Sequence, residues 1–129
     1  MIYKRGLEYP NEGFVQNAIE AYFMNLGYTP LSEKYTDYVC IHPETSEKWS
    51  IEVKGETKAI GLDFRTCLGQ LLQRMSTKEV YYGVAIPDMP AYRQQASQVQ
   101  PWIRKSLNLH WLYISADEKV DIIGPDDEV

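Results

Sequence analysis

Residues 49–54 read Trp-Ser-Ile-Glu-Val-Lys, and their alternation decides the fold. In an extended chain successive side chains leave on opposite faces, so Trp49, Ile51 and Val53 share one face while Ser50, Glu52 and Lys54 share the other. Such a strand needs a partner. Upstream, Tyr38, Val39, Cys40 and Ile41 form a short apolar run, and HPETSEK (residues 42–48) between the two has the composition of a turn, which predicts a hairpin. Tyr28 to Tyr35 is expected to be extended as well, because Pro30 disfavours helix at the residue before it.

Working outward, Asn11 is placed to cap a helix whose apolar residues Phe14, Val15, Ala18, Ile19, Tyr22, Phe23 and Leu26 recur at helical spacing until Gly27 closes it. Glu12, Gln16 and Glu20 follow one another at i+4 along one edge of that helix. After the hairpin, Gly55 to Gly61 reads as a loop. Asp63 is then expected to cap a second helix with Leu68, Leu71, Leu72 and Met75 on its core face and Gln70 and Arg74 on its exposed edge. Val80 to Ile86 carries no charge and suits a central buried strand reached by a crossover from that helix. Ala91 to Leu109 reads as helix interrupted or restarted at Pro101, and Trp111 to Ser115 and Val120 to Ile123 read as two final strands around an Asp117-Glu118 turn. The expected class is α/β, an α-β-β-β-α-β core with a mixed sheet flanked by helices, plus a C-terminal helix and β-hairpin.

At 129 residues and 44% hydrophobic the chain fits one domain, residues 1–129, without repeats or linkers. The expected setting is cytoplasmic and not membrane-bound: no apolar run is long enough to span a bilayer, and the opening MIYKRGLEYP lacks a secretory signal's apolar stretch. Cys40 and Cys67 have neither a CxxC spacing nor paired histidines nearby and read as buried free thiols. The net charge of −5 is concentrated in the tail, where residues 117–129 hold six acids against Lys119, so residues 1–116 balance acids and bases equally. Within that neutral body, residues 54–105 hold eight bases and four acids, enough for a modest, salt-sensitive positive surface. No Walker A loop, GxGxxG turn or HExxH helix is present.

The chemistry-bearing residues lie on the hairpin. Asp37 begins the first strand, and the chain between it and Glu52 is long enough to bring both carboxylates to one end. Paired carboxylates are a hard oxygen site suited to Mg²⁺ or Mn²⁺, to which Val53 can add its backbone carbonyl. Phosphodiester hydrolysis needs an activated water, a cation beside the phosphate and charge balance in the transition state, and two carboxylates with Lys54 can supply these.

Asp37 followed by Glu52-Val53-Lys54 resembles the D…(D/E)-x-K core of the PD-(D/E)XK, or restriction endonuclease-like, nuclease superfamily, with Thr36 where the family name has proline. The resemblance covers roughly residues 11–86. Within it, Glu12 and Gln16 in NEGFVQNAIEAYF resemble the E-x-x-x-Q helix start of virus-type replication-repair nucleases. That similarity implies Glu12 as a further metal and catalytic residue with Gln16 beside it. Gln70 and Arg74 in LGQLLQRM resemble the Q-x-x-x-Y helix of exonuclease relatives, with Arg74 in place of tyrosine, and Gln70 is carried over as a catalytic support. The run LGQLLQRM, YYGVAIPD, LHWLYIS is also similar to the layout of cyanobacterial excision-controlling factors. The resemblance implies a Mg²⁺- or Mn²⁺-dependent nuclease acting on DNA. Gln16, Lys58, Arg65 and Arg74 are then candidate nucleic-acid contacts, and a homodimer or larger nucleoprotein assembly is a candidate setting.

Each of these residues has a plainer reading. Any half-buried strand places polar residues at alternate positions, and Glu12 as a first-turn acid would stabilise the helix dipole by about 0.3–1 kcal/mol. Glu20 reads as a solvated flank residue, and His42 and His110 as structural. Tyr22, Tyr81, Trp102 and Trp111 fall in apolar patterns and are expected in the core. Arg65, Arg93, Arg104 and Lys105 are expected on solvated helix faces or against phosphates. Two other functions stay open: a catalytically silent nuclease fold serving as a nucleic-acid-binding or regulatory subunit in recombination, repair or restriction, and an RNA substrate.

Overall fold

The computed structural model describes residues 6–127, so residues 1–5 at the start of the chain and residues 128–129 at the end of the acidic tail lie outside the described residues. Ten elements follow in order: α1 (Glu12–Asn25), β1 (Thr29–Leu31), β2 (Tyr38–Ile41), β3 (Lys48–Val53), α2 (Ile60–Arg74), β4 (Tyr81–Pro87), α3 (Pro90–Ser97), α4 (Pro101–Leu107), β5 (Leu109–Ile114) and β6 (Val120–Ile123). The six strands make one mixed sheet in sequence order. β1, β2 and β3 pair antiparallel, β3, β4 and β5 pair parallel, and β6 returns antiparallel on β5. The expected α-β-β-β-α-β order and terminal β-hairpin are therefore present, and Pro101 does restart the last helix as a separate element.

The period of two sorts the sheet into two apolar layers. Trp49, Ile51 and Val53 of β3, with Tyr38 and Cys40 of β2 and Leu112 and Ile114 of β5, face α1 through Val15, Ala18, Ile19 and Phe23. Tyr82, Val84 and Ile86 of β4, with Leu109, Trp111 and Tyr113 of β5, face Phe64, Cys67 and Leu71 of α2 and Tyr92 and Ala96 of α3. β4 is a central strand, parallel to both neighbours and buried from Tyr82 to Pro87, as its uncharged sequence implies. Full burial of each such aliphatic or aromatic side chain contributes about 1.5–3 kcal/mol.

Gly27 closes α1 at φ 92°, the left-handed conformation that a side chain resists. The turn between β2 and β3 is tied by His42 N–H donating to Glu47 O at 2.9 Å, and the His42 ring accepts from the amides of Glu44 and Thr45. His110 is buried against Trp49 and Tyr81, and burial lowers its pKa. Both histidines are thus structural.

Several sequence expectations need correction. Asn11 occupies the N-cap position of α1, but its side chain makes no capping bond. α2 starts at Ile60, so Asp63 sits inside its first turn instead of capping it. The inner face of α2 is carried by Phe64, Cys67 and Leu71, and Leu72 is exposed. Only Thr29–Leu31 of the expected extended segment 28–35 joins the sheet, and the chain then leaves as a loop in which Tyr35 has φ 67°. Leu26 and Trp102 are exposed, whereas Arg104 is buried, its Nη2 donating to Ile123 O at 3.0 Å and Gly124 O at 2.7 Å. With Pro101 resetting the helix, α4 turns Arg104 inward over Trp111 and leaves Trp102 in solvent.

Candidate active site

The hairpin register sets the carboxylates at one end of the sheet. Tyr38 pairs with Ile51, so Asp37 falls just beyond the last rung and opposite the end of β3. Its Oδ2 accepts the Val53 amide at 2.8 Å, a side-chain bond that continues the ladder where β2 has run out. Tyr38 and Ile51 face α1, so Asp37 and Glu52, each one residue away, turn to the α2 side. Lys54 continues the parallel ladder through its amide, which donates to Ala85 O at 3.0 Å, and its side chain is half-buried.

Glu52 is 3% exposed, and its Oε2 has no hydrogen-bond partner among the described residues. Burial is the main reason that its pKa rises from 4.5 to about 7, and the Asp37 charge adds to it. Arg74, a backbone hydrogen bond from Asp37 and Lys54 pull the other way. Arg74 reaches the site from α2: its Nε donates to Tyr35 O at 2.8 Å, and it sits one turn after Gln70. Gln70 lies three residues after Cys67 and four before Arg74, hence on the same side of α2 as the two residues that sense Glu52.

The buried thiol of Cys67 lies within electrostatic reach of these groups. Its pKa is pushed up, first by burial, then by Glu52, Asp37 and Glu12, with Lys54 opposing. Glu12 comes close because the loop after β3 lies directly on the start of α1. A Cβ added to Gly55 would stand 2.2 Å from the Glu12 amide nitrogen, and the Glu56 amide donates to Pro10 O at 2.8 Å. Tyr92 of α3 holds the same loop from the far side, its fully buried hydroxyl donating to Gly55 O at 2.6 Å.

The site residues expected from sequence separate into groups. Glu52, Asp37, Glu12 and Lys54 all bear electrostatically on the Cys67 thiol, and Asp37, Arg74 and Lys54 bear on the Glu52 carboxylate. Gln16 is buried and its Nε2 is spent inward, donating to Asp37 O at 3.0 Å and to Glu20 Oε2 at 2.7 Å, so it fixes the segment carrying Asp37, while its Oε1 has no hydrogen-bond partner among the described residues. Glu20, expected to be solvated, is thereby tied to Gln16. Lys58 and Arg65 are exposed, on the loop before α2 and on its outer side. Arg93 is engaged with Asp88 at 2.6 Å, which with the burial of Arg104 reduces the basic surface that the sequence promises.

Sequence reasoning missed Gly55, Cys67 and Tyr92. Gly55 directly after the Glu-x-Lys strand was a readable signal of close backbone approach. Tyr92 carried none, because its partner lies 37 residues away. Among the described residues no three Asp, Glu, His or Cys side chains form a ready-made ion cage. Mg²⁺ does not demand one, since it keeps waters and takes one or two carboxylates plus phosphate oxygens. An orphaned, buried carboxylate oxygen beside a second carboxylate fits such an ion. No helix of the described residues is long and apolar enough to cross a membrane. Neither a family model nor a curated protein nor a solved structure matches the chain.

Proposed function

We propose that this chain is a Mg²⁺- or Mn²⁺-dependent nuclease of the PD-(D/E)XK type that hydrolyses phosphodiester bonds in DNA. The observation that carries the reading is the unpartnered, buried Oε2 of Glu52 beside Asp37, on a strand followed directly by Lys54. A buried carboxylate oxygen without a partner is costly, and a cation is its natural compensation. Asp37 and Glu52 would hold the ion, with the Val53 carbonyl completing the protein ligands and Glu12 supporting from α1. When bound, the ion supplies Lewis acidity and lowers the pKa of a coordinated water. Lys54 holds a positive charge at the end of β3, where it orients the attacking water or balances charge developing on the phosphate. Asp37 keeps the end of β3 in register through the Val53 amide, and Gln16 holds the Asp37 backbone. Gln70 supports the site from α2, and Lys58, Arg65 and Arg74 are the phosphate contacts of this reading. A homodimer or larger nucleoprotein assembly and a cytoplasmic setting belong to the same proposal.

The test is a cleavage panel of linear, nicked, branched and single-stranded DNA, with RNA alongside, run in Mg²⁺, Mn²⁺ and EDTA. Wild type should cleave DNA only with the ions, and Lys54→Ala should lose activity while its circular dichroism stays native. Absence of ion-dependent cleavage from wild type, together with no binding of either ion, defeats the reading.

One observation favours a second reading, a catalytically silent subunit for nucleic-acid binding or regulation. The depression beside Asp37, about 330 Å³, is lined by Glu20 and Glu33 as well, a poor approach for a polyanion. Copurification with a partner, and biological function unchanged by Glu52→Ala, would decide for it.

A further inference from the structure

Two residues before Asp37, Tyr35 is 74% exposed, more than any other large hydrophobic side chain among the described residues. Its φ of 67° is a left-handed conformation that a bulky residue adopts only where its surroundings impose it. Arg74 grips this residue twice: its Nε donates to the Tyr35 carbonyl at 2.8 Å and its guanidinium carbon lies 5.7 Å from the ring centroid. Lys34 Nζ lies 5.6 Å from the same centroid. Glu33, two residues before Tyr35, is paired with Lys48 at 2.7 Å.

Packing does not account for this arrangement. A ring left in solvent gains nothing for folding, yet the backbone beneath it is strained and anchored by the arginine that also acts on Glu52. An aromatic face flanked by two cations, beside paired carboxylates, has the chemistry of a nucleotide-binding platform: the ring stacks on a base while the cations meet the adjoining phosphates. Bases within a continuous duplex are already stacked on one another and offer no free face.

We infer that Tyr35, held by Arg74 and flanked by Lys34, is a stacking platform for an unpaired base, so that this site takes single-stranded or splayed nucleic acid in preference to continuous duplex. The inference rests on the nuclease reading for the chemical class of its ligand.

The experiment measures binding of the full chain in EDTA, where metal-dependent cleavage cannot interfere. The probes are a labelled single-stranded oligonucleotide carrying 2-aminopurine and a hairpin duplex of the same sequence. Wild type should prefer the single strand and quench the 2-aminopurine. Tyr35→Ala and Tyr35→Gly should each weaken single-strand binding roughly ten-fold or more and abolish the quench, while Tyr35→Phe retains both. Tyr35→Gly relieves the left-handed strain and folds at least as well as wild type, so its loss of binding reports the ring and not the fold. Single-strand affinity unchanged in Tyr35→Gly overturns the inference, and so does a chain that binds no oligonucleotide. Cleavage by wild type with Tyr35-independent binding sinks the platform and leaves the nuclease standing. Tyr35-dependent binding by a chain that never cleaves does the reverse.

Discussion

Glu52→Gln removes the buried charge while keeping the side chain's shape, and its effect on stability should depend on pH in one direction. A carboxyl group that titrates near 4.5 in the unfolded chain and near 7 in the native protein makes the native state the better proton binder between those values. Below about pH 4.5 both states are protonated and the charge costs nothing. As pH rises the unfolded chain releases its proton first, so wild-type stability falls until Glu52 ionises in the folded state. At about 1.36 kcal/mol per pH unit, a shift of roughly 2.5 units makes the full loss about 3 kcal/mol above neutrality. The amide has no proton to lose, so its advantage over wild type should grow by about 3 kcal/mol between about pH 4 and pH 8. Urea unfolding of both proteins in EDTA across that range measures it, and the slope with pH cancels any constant cost of burying an amide. Saturating Mg²⁺ at about pH 8 should return much of the lost stability to wild type and little to the variant. A difference flat within about 0.5 kcal/mol over the range would refute the claim that Glu52 is ionised at a cost.

Gly55→Ala drives a methyl group into the Glu12 backbone, so it should cost about 1–3 kcal/mol by overpacking and reduce cleavage by displacing Glu12, read by thermal unfolding and activity together. Gln16→Ala abandons the bonds to Asp37 O and Glu20, for an expected loss of about 1–3 kcal/mol in urea unfolding, and weakened Mg²⁺ binding in calorimetry. Tyr92→Phe leaves the buried Gly55 carbonyl short of its donor, and should lower stability by about 1 kcal/mol or somewhat more while accelerating amide exchange in residues 54–59. Arg74→Gln withdraws the largest charge opposing the rise at Glu52, so in the variant the upper end of the pH window over which stability is lost, read by urea unfolding, should move upward while the lower end stays near 4.5.

The sheet was legible because its strands obey the period of two against two separate layers. Trp49, Ile51 and Val53 had to share a face, and the uncharged run at 80–86 had to lie between neighbours. What escaped was decided by distant partners. Arg104 is buried because carbonyls of Ile123 and Gly124, 19 and 20 residues on, receive it, and nothing near Arg104 announces them. Leu72 and Trp102 fit apolar patterns, but Phe64 and Cys67 had already filled the α2 seam and Pro101 had rotated α4. In the site, Asp37, Glu52 and Lys54 were singled out by their spacing and Glu12 by resemblance, and all four charges bear on the buried Cys67 thiol. Gln16's inward role was not readable, since an i+4 edge shows which residues align and not which way a flexible amide reaches.

The two ends of the hairpin differ in how much added chain they can take. At one end, the loop of residues 54–59 is clamped between the Glu12 backbone and the Tyr92 hydroxyl, so a residue inserted there would slide one acid away from the others. At the other, Pro43 to Ser46 are exposed at the tip of the β2–β3 turn, a strand's length from the carboxylates. A grafted recognition peptide or an affinity handle belongs at that tip, where the scaffold can carry new cargo without re-spacing its charges.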